Sequence, residues 1–368
     1  MSLTYDAVGV DSGREEGSLR ELAKWVNKTF KFSAAEPLLP LGYFANVLRL
    51  TPDIGLAIST DGVGTKLLIA QLLGKYDTVG IDCVAMNAND VICVGATPFA
   101  MVDYVAVQQA DPGFLGEIAK GLYTGAELAG ITIPGGEIAQ IREMIHGSRE
   151  GYGFDLVGTC VGTVHPKRLL VGEDIQPGDL VVGIRSNGIH SNGLTLARHV
   201  LFDQAKLTVS QNVPDLGKSV GEELLAPTHI YVKEVVQMLT EGLAVKALIH
   251  ITGDGFMNLA RVKADAGFVI DKLIEPPRIF SLIQERGHVG DEEMFRVYNM
   301  GTGFCVVVSS GDAQRVKEIV YKHGHEAAVI GYTVADTKRR VWICERNLVG
   351  EKTAFRPATK DELPPPCP

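Results

Sequence analysis

No run of apolar residues in the chain is long and uninterrupted enough to span a bilayer, so no membrane partner is expected. The N-terminus lacks a basic-then-apolar signal, which points away from secretion and toward the cytoplasm. An excess of positive charge is missing too. The formal net charge is -9, which argues against a general nucleic-acid binder while leaving nucleotide ligands open. Only six cysteines occur in 368 residues. None forms a C-x-x-C pair, and no Cys/His cluster has the spacing of a zinc site, so buried free thiols in a reducing compartment are expected. Three familiar site motifs are also lacking. There is no phosphate loop of the form G-x-x-x-x-G-K-S/T, no G-x-G-x-x-G with a downstream acid, and no G-x-S-x-G nucleophile elbow. Any nucleotide site must be of another design.

What is present centres on residues 58–96. A short apolar segment, DIGLAI, reads as a strand, and Asp61 follows it beside Gly62 and Gly64. Thr65 and Lys66 then open a helix, LLIAQLL. A strand, a glycine turn and a helix start make an anion seat, because free N–H groups point out of the helix start. An acid there fits a phosphate only with a hard cation such as Mg²⁺ between them. The following helix, IDCVAMNANDVICVGA, is apolar yet carries Asp82, Asn87, Asn89 and Asp90. At helical spacing Asp82, Met86, Asn89 and Asp90 share one face. Carboxylates on a buried helix need a partner, a hydrogen bond or a metal. Two readings stand side by side. Either Asp61 and Asp90 share a metal–nucleotide site, or Asp90 caps a neighbouring loop and Asp61 makes an Asx turn.

Strand and helix signals alternate along the chain, so the fold class is α/β (α+β). The pattern predicts an amphipathic helix around residues 14–30, with Leu19, Leu22, Trp25 and Val26 on one side. Two strands follow at 43–50 and 53–60, then a long strand at 98–109 and a helix at 113–130. Gly135, Gly136 and Glu137 place a further acid at a strand-end turn. A charged, turn-rich segment at 165–178 divides the chain. Residues 1–165 read as an N-terminal domain, 166–345 as a C-terminal α/β layered domain, and 346–368 as a disordered tail. The second half offers three more glycine junctions, read as strand–turn–helix: SNGIHSNG around His190, HITGDG after His250, and NMGTG at 299–303. His190 is a candidate acid/base or phosphate donor, or a turn histidine bonded to its own loop. His250 closes an apolar strand, where a satisfied core histidine is an equal reading. Thr228 and His229 read as helix N-cap chemistry.

Several segments, in order, resemble the aminoimidazole ribonucleotide synthetase family. They are YDAVGVD, STDGVGTKL, DTVGIDCVAMNANDVICVGATP, MVDYVA, GGEIAQ, FDLVGTCVG, SNGIHSNGLTLAR, LLAPTHIYVK, HITGDGFMNLARV and EEMFRVYNMGTG. The resemblance implies an ATP-dependent ligase of purine biosynthesis. It would turn formylglycinamidine ribonucleotide and ATP into aminoimidazole ribonucleotide, ADP and phosphate, through phosphorylation of the formyl oxygen and ring closure. It implies a homodimer whose N-terminal sheets share a barrel, with the small-molecule ribonucleotide as the other partner. By matching motif, Asp61 and Asp90 would hold Mg²⁺. Asp61, Gly62, Gly64, Thr65, Lys66, Asp90, Gly136 and Glu137 would hold ATP. Ser191, Asn192, His250, Thr252, Gly253 and Gly255 would bind substrate, and His190, Asp90 and Lys66 would serve catalysis.

Three segments depart from the family pattern. A glycine-rich loop is replaced by PLGYFANVL, the GGE segment continues as GGEIAQIREMIHG, and HITGDG places Asp254 where a glycine is usual. These departures keep two other classes open: a paralogous ATP-dependent enzyme acting on another amide or acyl group, and a non-catalytic nucleotide-binding protein. Reactive-cysteine relatives fit less well. No cysteine precedes Cys83, and Cys367 lies in PPPCP. A thiamine-phosphate kinase would not account for LLAPTHIYVK.

Overall fold

The computed structural model describes residues 3–9 and 12–364. Val10, Asp11 and Cys367, named above in motif readings, lie outside the described residues. The first half runs α1 (Ser12–Val26), β1 (Glu36–Pro37), β2 (Asn46–Arg49), β3 (Gly55–Gly62), α2 (Lys66–Leu73), α3 (Val79–Cys93), β4 (Thr97–Val107), α4 (Pro112–Ala129), β5 (Thr132–Gln140) and β6 (Phe154–Val164). Its strands form one sheet in the order β1-β2-β3-β6-β4-β5. Only the β4–β5 pair is parallel; the other pairs are antiparallel.

One face of this sheet is covered by α3, with α4 packed on α3 in turn. Glycines allow the two helices to touch. A Cβ on Gly80 would stand 2.2 Å from the Leu122 backbone nitrogen, and one on Gly121 would stand 2.5 Å from the Asp77 carbonyl. The opposite sheet face is open. Val102 and Tyr104 on β4 are 45% and 40% exposed there. They pair in register with Thr159 and Val157 of β6, which share that face.

The second half runs β7 (Leu180–Arg185), α5 (Leu194–Arg198), β8 (Asn212–Val213), β9 (Lys218–Ser219), α6 (Val220–Leu224), α7 (Val232–Thr240), β10 (Val245–His250), β11 (Ala266–Ile270), α8 (Arg278–Gly287), α9 (Asp291–Val297), β12 (Thr302–Val308), α10 (Ala313–Lys322), β13 (Ala327–Ala335), β14 (Val341–Ile343), β15 (Leu348–Glu351) and β16 (Ala354–Pro357). Eight of these strands make a mixed sheet in the order β10-β12-β7-β13-β11-β14-β15-β16. Buried side chains of both halves join into one core.

The tail expectation fails over residues 348–357. There β15 and β16 form a hairpin that extends the second sheet, with Leu348, Val349 and Phe355 buried. The proline-rich ending masked this. The apolar residues that hold the segment down lie before it: Leu348 and Val349 side by side on β15, packed into separate apolar clusters, and Phe355 on β16. The NMGTG junction also differs from expectation, because it leads from α9 into β12 and so runs helix to strand. Among the described residues nothing covers Leu19, Leu22 and Trp25 of α1, which are 60%, 61% and 71% exposed, while Val26 is half-buried.

Candidate active site

The site grows from the end of β3 and the polar face of α3. Asp61 closes β3, where the Gly62 N–H donates to its Oδ1 at 2.7 Å. Asn87 on α3 donates to the Asp61 carbonyl at 3.1 Å, which ties the strand end to the helix. Asp90, one turn further along α3, accepts from His250 Nδ1 at 2.9 Å. That bond leaves His250 Nε2 as the acceptor facing Asn89 Nδ2, 3.5 Å away. Thus Asp61, Asp90 and His250, from three separate motifs, meet. Burial and the neighbouring Asp90 push the Asp61 carboxyl up to about 6, against the pull of the Gly62 N–H and His250. Two hard carboxylates that repel each other, one of them already reluctant to ionise, fit a divalent cation. Among the described residues no group of three or more acidic, His or Cys side chains has metal-binding geometry. A cation such as Mg²⁺ held here would complete its shell with water and phosphate oxygens, as Mg²⁺ does. The turn beside it suits a phosphate. Gly64 has a φ of +72°, and no atom lies within 4 Å of where its Cβ would be.

The substrate-side residues gather next to this cluster. His190 has a φ of 61°, a left-handed conformation that is unusual for a residue with a Cβ. Its Nε2 faces Asn187 Oδ1 at 3.1 Å, so Nε2 carries the proton, and Nδ1 is buried without a hydrogen-bond partner. Burial, and then the neighbouring His229, His250 and Lys66, hold the imidazole well below its usual titration range, so it is neutral. Asn192 Oδ1 would lie 3.4 Å from a Cβ on Gly253, so the SNG turn and the loop after His250 are in contact. Thr252 closes that loop by accepting the Gly255 N–H at 2.9 Å.

Other assignments change. Lys66 does not face this cleft. It is fully buried, donating to Asp82 Oδ1 at 2.8 Å and to the Ala226 carbonyl at 2.6 Å. The apolar helix that opens at Lys66 packs inward, and it carries the lysine with it. Gly255 is required for packing, because a Cβ there would stand 2.1 Å from the Phe295 carbonyl. Thr228 does not cap α7, whose N-cap position is Tyr231; instead it donates to Asp82. Gly136 and Glu137 lie on the edge strand β5, away from Asp61. The register runs Asp61–Gly158–Asp103–Gly136 across β3, β6, β4 and β5. At about 4.8 Å per strand, Gly136 is about 14 Å from Asp61.

That register line also exposes a residue the motif search passed over. Asp103 lies on the helix-facing side of β4, between the buried Met101 and Val105, and burial raises its carboxyl above the usual range. A Cβ on Gly136 would fall 2.0 Å from Asp103 Oδ1, so the glycine makes room for this acid. The period-two alternation of MVDYVAV, with an acid on the apolar side, was the available signal.

Two of the three departures from the family pattern touch each other. Asp254 is exposed and ion-paired with Arg261. The Arg261 guanidinium in turn lies 5.1 Å from the centre of the Phe44 ring, in the segment PLGYFANVL. The added acid is therefore neutralised at the surface and does not face the anion seat bare.

Residues 42–164 match the AIR synthase related protein N-terminal domain, and residues 176–344 match the corresponding C-terminal domain. A phosphoribosylformylglycinamidine cyclo-ligase from Methanothermobacter thermautotrophicus is 45% identical over 88% of this chain and 93% of its own. The chain belongs to the AIR synthase family. Solved structures share the AIR synthase fold at lower identity. A thiamine-monophosphate kinase from Stenotrophomonas maltophilia is 17% identical, with a TM-score of 0.56 over 84% of this chain and 92% of that one. Thermotoga maritima PurL, solved with ADP, is 18% identical, with a TM-score of 0.53 over 85% of this chain and 46% of that one. No described helix is long and apolar enough to cross a membrane.

Proposed function

We propose that this AIR synthase family member converts formylglycinamidine ribonucleotide and ATP into aminoimidazole ribonucleotide, ADP and phosphate. One observation carries the reading: cyclo-ligase relatives are 45% identical over nearly their whole length. The gathering of Asp61, Asp90 and His250 supports it. In this scheme the formyl oxygen attacks the γ-phosphorus of ATP, and ADP leaves. The neighbouring amine then attacks the activated carbon, phosphate departs with the former formyl oxygen, and the amine loses a proton as the ring closes. Asp61 and Asp90 would hold Mg²⁺, which neutralises phosphate charge during such a transfer. The Gly62–Thr65 turn would cradle phosphate oxygens. His190, buried and held neutral as a weakened base, would shape the substrate side of the site, and the proton lost on closure would leave with the phosphate. His250 would orient Asp90 through their hydrogen bond.

We also infer a cytoplasmic homodimer. Its support is the open face of the first sheet, where Val102 and Tyr104 stand exposed beside the half-buried Val157 and Val161. A sheet with one apolar face uncovered calls for a cover. The test of the reaction is ADP release with Mg²⁺-ATP, with and without formylglycinamidine ribonucleotide, together with an assay for the aminoimidazole product. Substrate-dependent turnover upholds the assignment. ATP binding without that turnover would move it to a paralogous substrate or a nucleotide sensor.

A further inference from the structure

The buried network around Asp82 fixes which way a hydroxyl in the substrate cleft points its proton. Asp82 on α3 is fully buried and paired with the equally buried Lys66. Its Oδ1 also accepts from the Thr228 backbone N–H and from Thr228 Oγ1, both at 2.7 Å. A hydroxyl has one proton to give, and a carboxylate can only accept. Bonds to an ionised acceptor are about twice as strong as neutral ones, so the Thr228 proton is committed to Asp82. Ser191 Oγ lies 3.1 Å from Thr228 Oγ1. Since the Thr228 oxygen has no second proton, the hydrogen in that contact must come from Ser191. The Ser191 proton is then committed as well, and its other side offers lone pairs alone.

Ser191 is only partly buried, and it sits between His190 and Asn192, whose amide lies against Gly253 of the loop after His250. We propose that the Asp82–Thr228–Ser191 relay locks Ser191 as a hydrogen-bond acceptor, so that it recognises an N–H or O–H donor of the ligand and not a phosphate oxygen. The proposal rests on the reading that this cleft takes a ribonucleotide, whose ribose hydroxyls and amidine N–H groups are donors. Asp82, Thr228 and Lys66 are positioning residues here, acting through Ser191.

The test compares Thr228→Val, Thr228→Ser and Ser191→Ala in the full chain. Thr228→Val and Ser191→Ala should each raise KM for formylglycinamidine ribonucleotide about tenfold, the size of one lost hydrogen bond. KM for ATP should stay within about twofold, and Thr228→Ser, which keeps the hydroxyl, should restore the substrate KM. Sulfate, which has no O–H to give, as a competitive probe should bind wild type and Ser191→Ala equally. Weaker sulfate binding in Ser191→Ala, or an unchanged substrate KM in Thr228→Val, would overturn the proposal. A second arm needs no substrate, so it reads the relay even if wild type fails to cyclise the ribonucleotide and the functional reading falls. Thr228→Val strips a donor from a buried carboxylate, whereas Ser191→Ala leaves Thr228 with its own acceptor. The urea midpoint should therefore fall clearly further in Thr228→Val. Equal losses in the two variants would refute the proton direction.

Discussion

Replacing Lys66 by methionine separates a structural lysine from a phosphate-binding one. The substitution keeps the length and apolar stem of the side chain, so little cavity opens. It removes the ammonium that donates to Asp82 Oδ1 and to the Ala226 carbonyl. Asp82 would keep both donors from Thr228, but its Oδ2 is already without a hydrogen-bond partner. Removing one member of a buried ion pair costs about 3–5 kcal/mol, because the other charge stays behind. Unfolding entropy of about 2.1 cal/mol/K per residue, taken over 368 residues, converts that into a Tm lower by about 4–6 °C. Thermal melts of the nucleotide-free protein, beside calorimetric ATP titration, make the measurement. Unchanged Tm together with lost ATP affinity would refute this reasoning and return Lys66 to the phosphate.

Two further outcomes are expected. Asp61→Asn removes a carboxyl raised from 3.8 to about 6 by burial and by Asp90. Wild-type stability from this group is present below the ordinary carboxylate range and lost as pH rises through about 6. The metal-free variant should therefore melt higher than wild type at pH 8 but not at pH 4, and Mg²⁺ should stabilise it less; equal responses to Mg²⁺ would remove Asp61 from the cation site. Tyr104→Glu puts a charge on the open sheet face, and sedimentation should then report a dimer for wild type, as proposed, and a monomer for the variant; a dimer that survives in the variant would locate the interface elsewhere.

Much of the chemistry was legible because it rests on local pattern. The strand, glycine turn and helix around Asp61 are local, and so is the helical spacing that puts Asp82, Asn89 and Asp90 on one face. What was not legible is which partner each polar group finds across the fold. Lys66 follows a glycine turn in either case, and only tertiary packing decides whether its ammonium reaches a cleft or Asp82, sixteen positions on. Thr228 precedes a helix, and so reads as a cap, until α3 arrives beside it. Asp103 was concealed by the opposite bias: a lone acid in an apolar strand matched no motif, although its alternation placed it inward. The hairpin at 348–357 was hidden by the prolines after it.

The polar face of α3 joins as much as it binds. Asp82 receives Thr228, Asn89 donates to the His229 carbonyl and accepts from the Tyr231 N–H, and Asp90 receives His250. These three polar positions therefore tie the first half of the chain to the second, through the segment 228–231 and the end of β10. A hinge that parted the halves would keep the Lys66–Asp82 pair, since both belong to the first half, but would break the two bonds from Thr228 to Asp82 and the one from Lys66 to the Ala226 carbonyl. A hydrogen bond to a charged group is worth about 1.5–3 kcal/mol net. At about 1.4 kcal/mol per factor of ten, losing even two of them would leave such an opened state populated about once in a hundred molecules or fewer. Ligand entry is then better served by surface segments than by a jaw motion. The stretch 40–48 and the loop at 252–255, bridged by Arg261 between Phe44 and Asp254, lie outside this seam and are free to differ without loosening it.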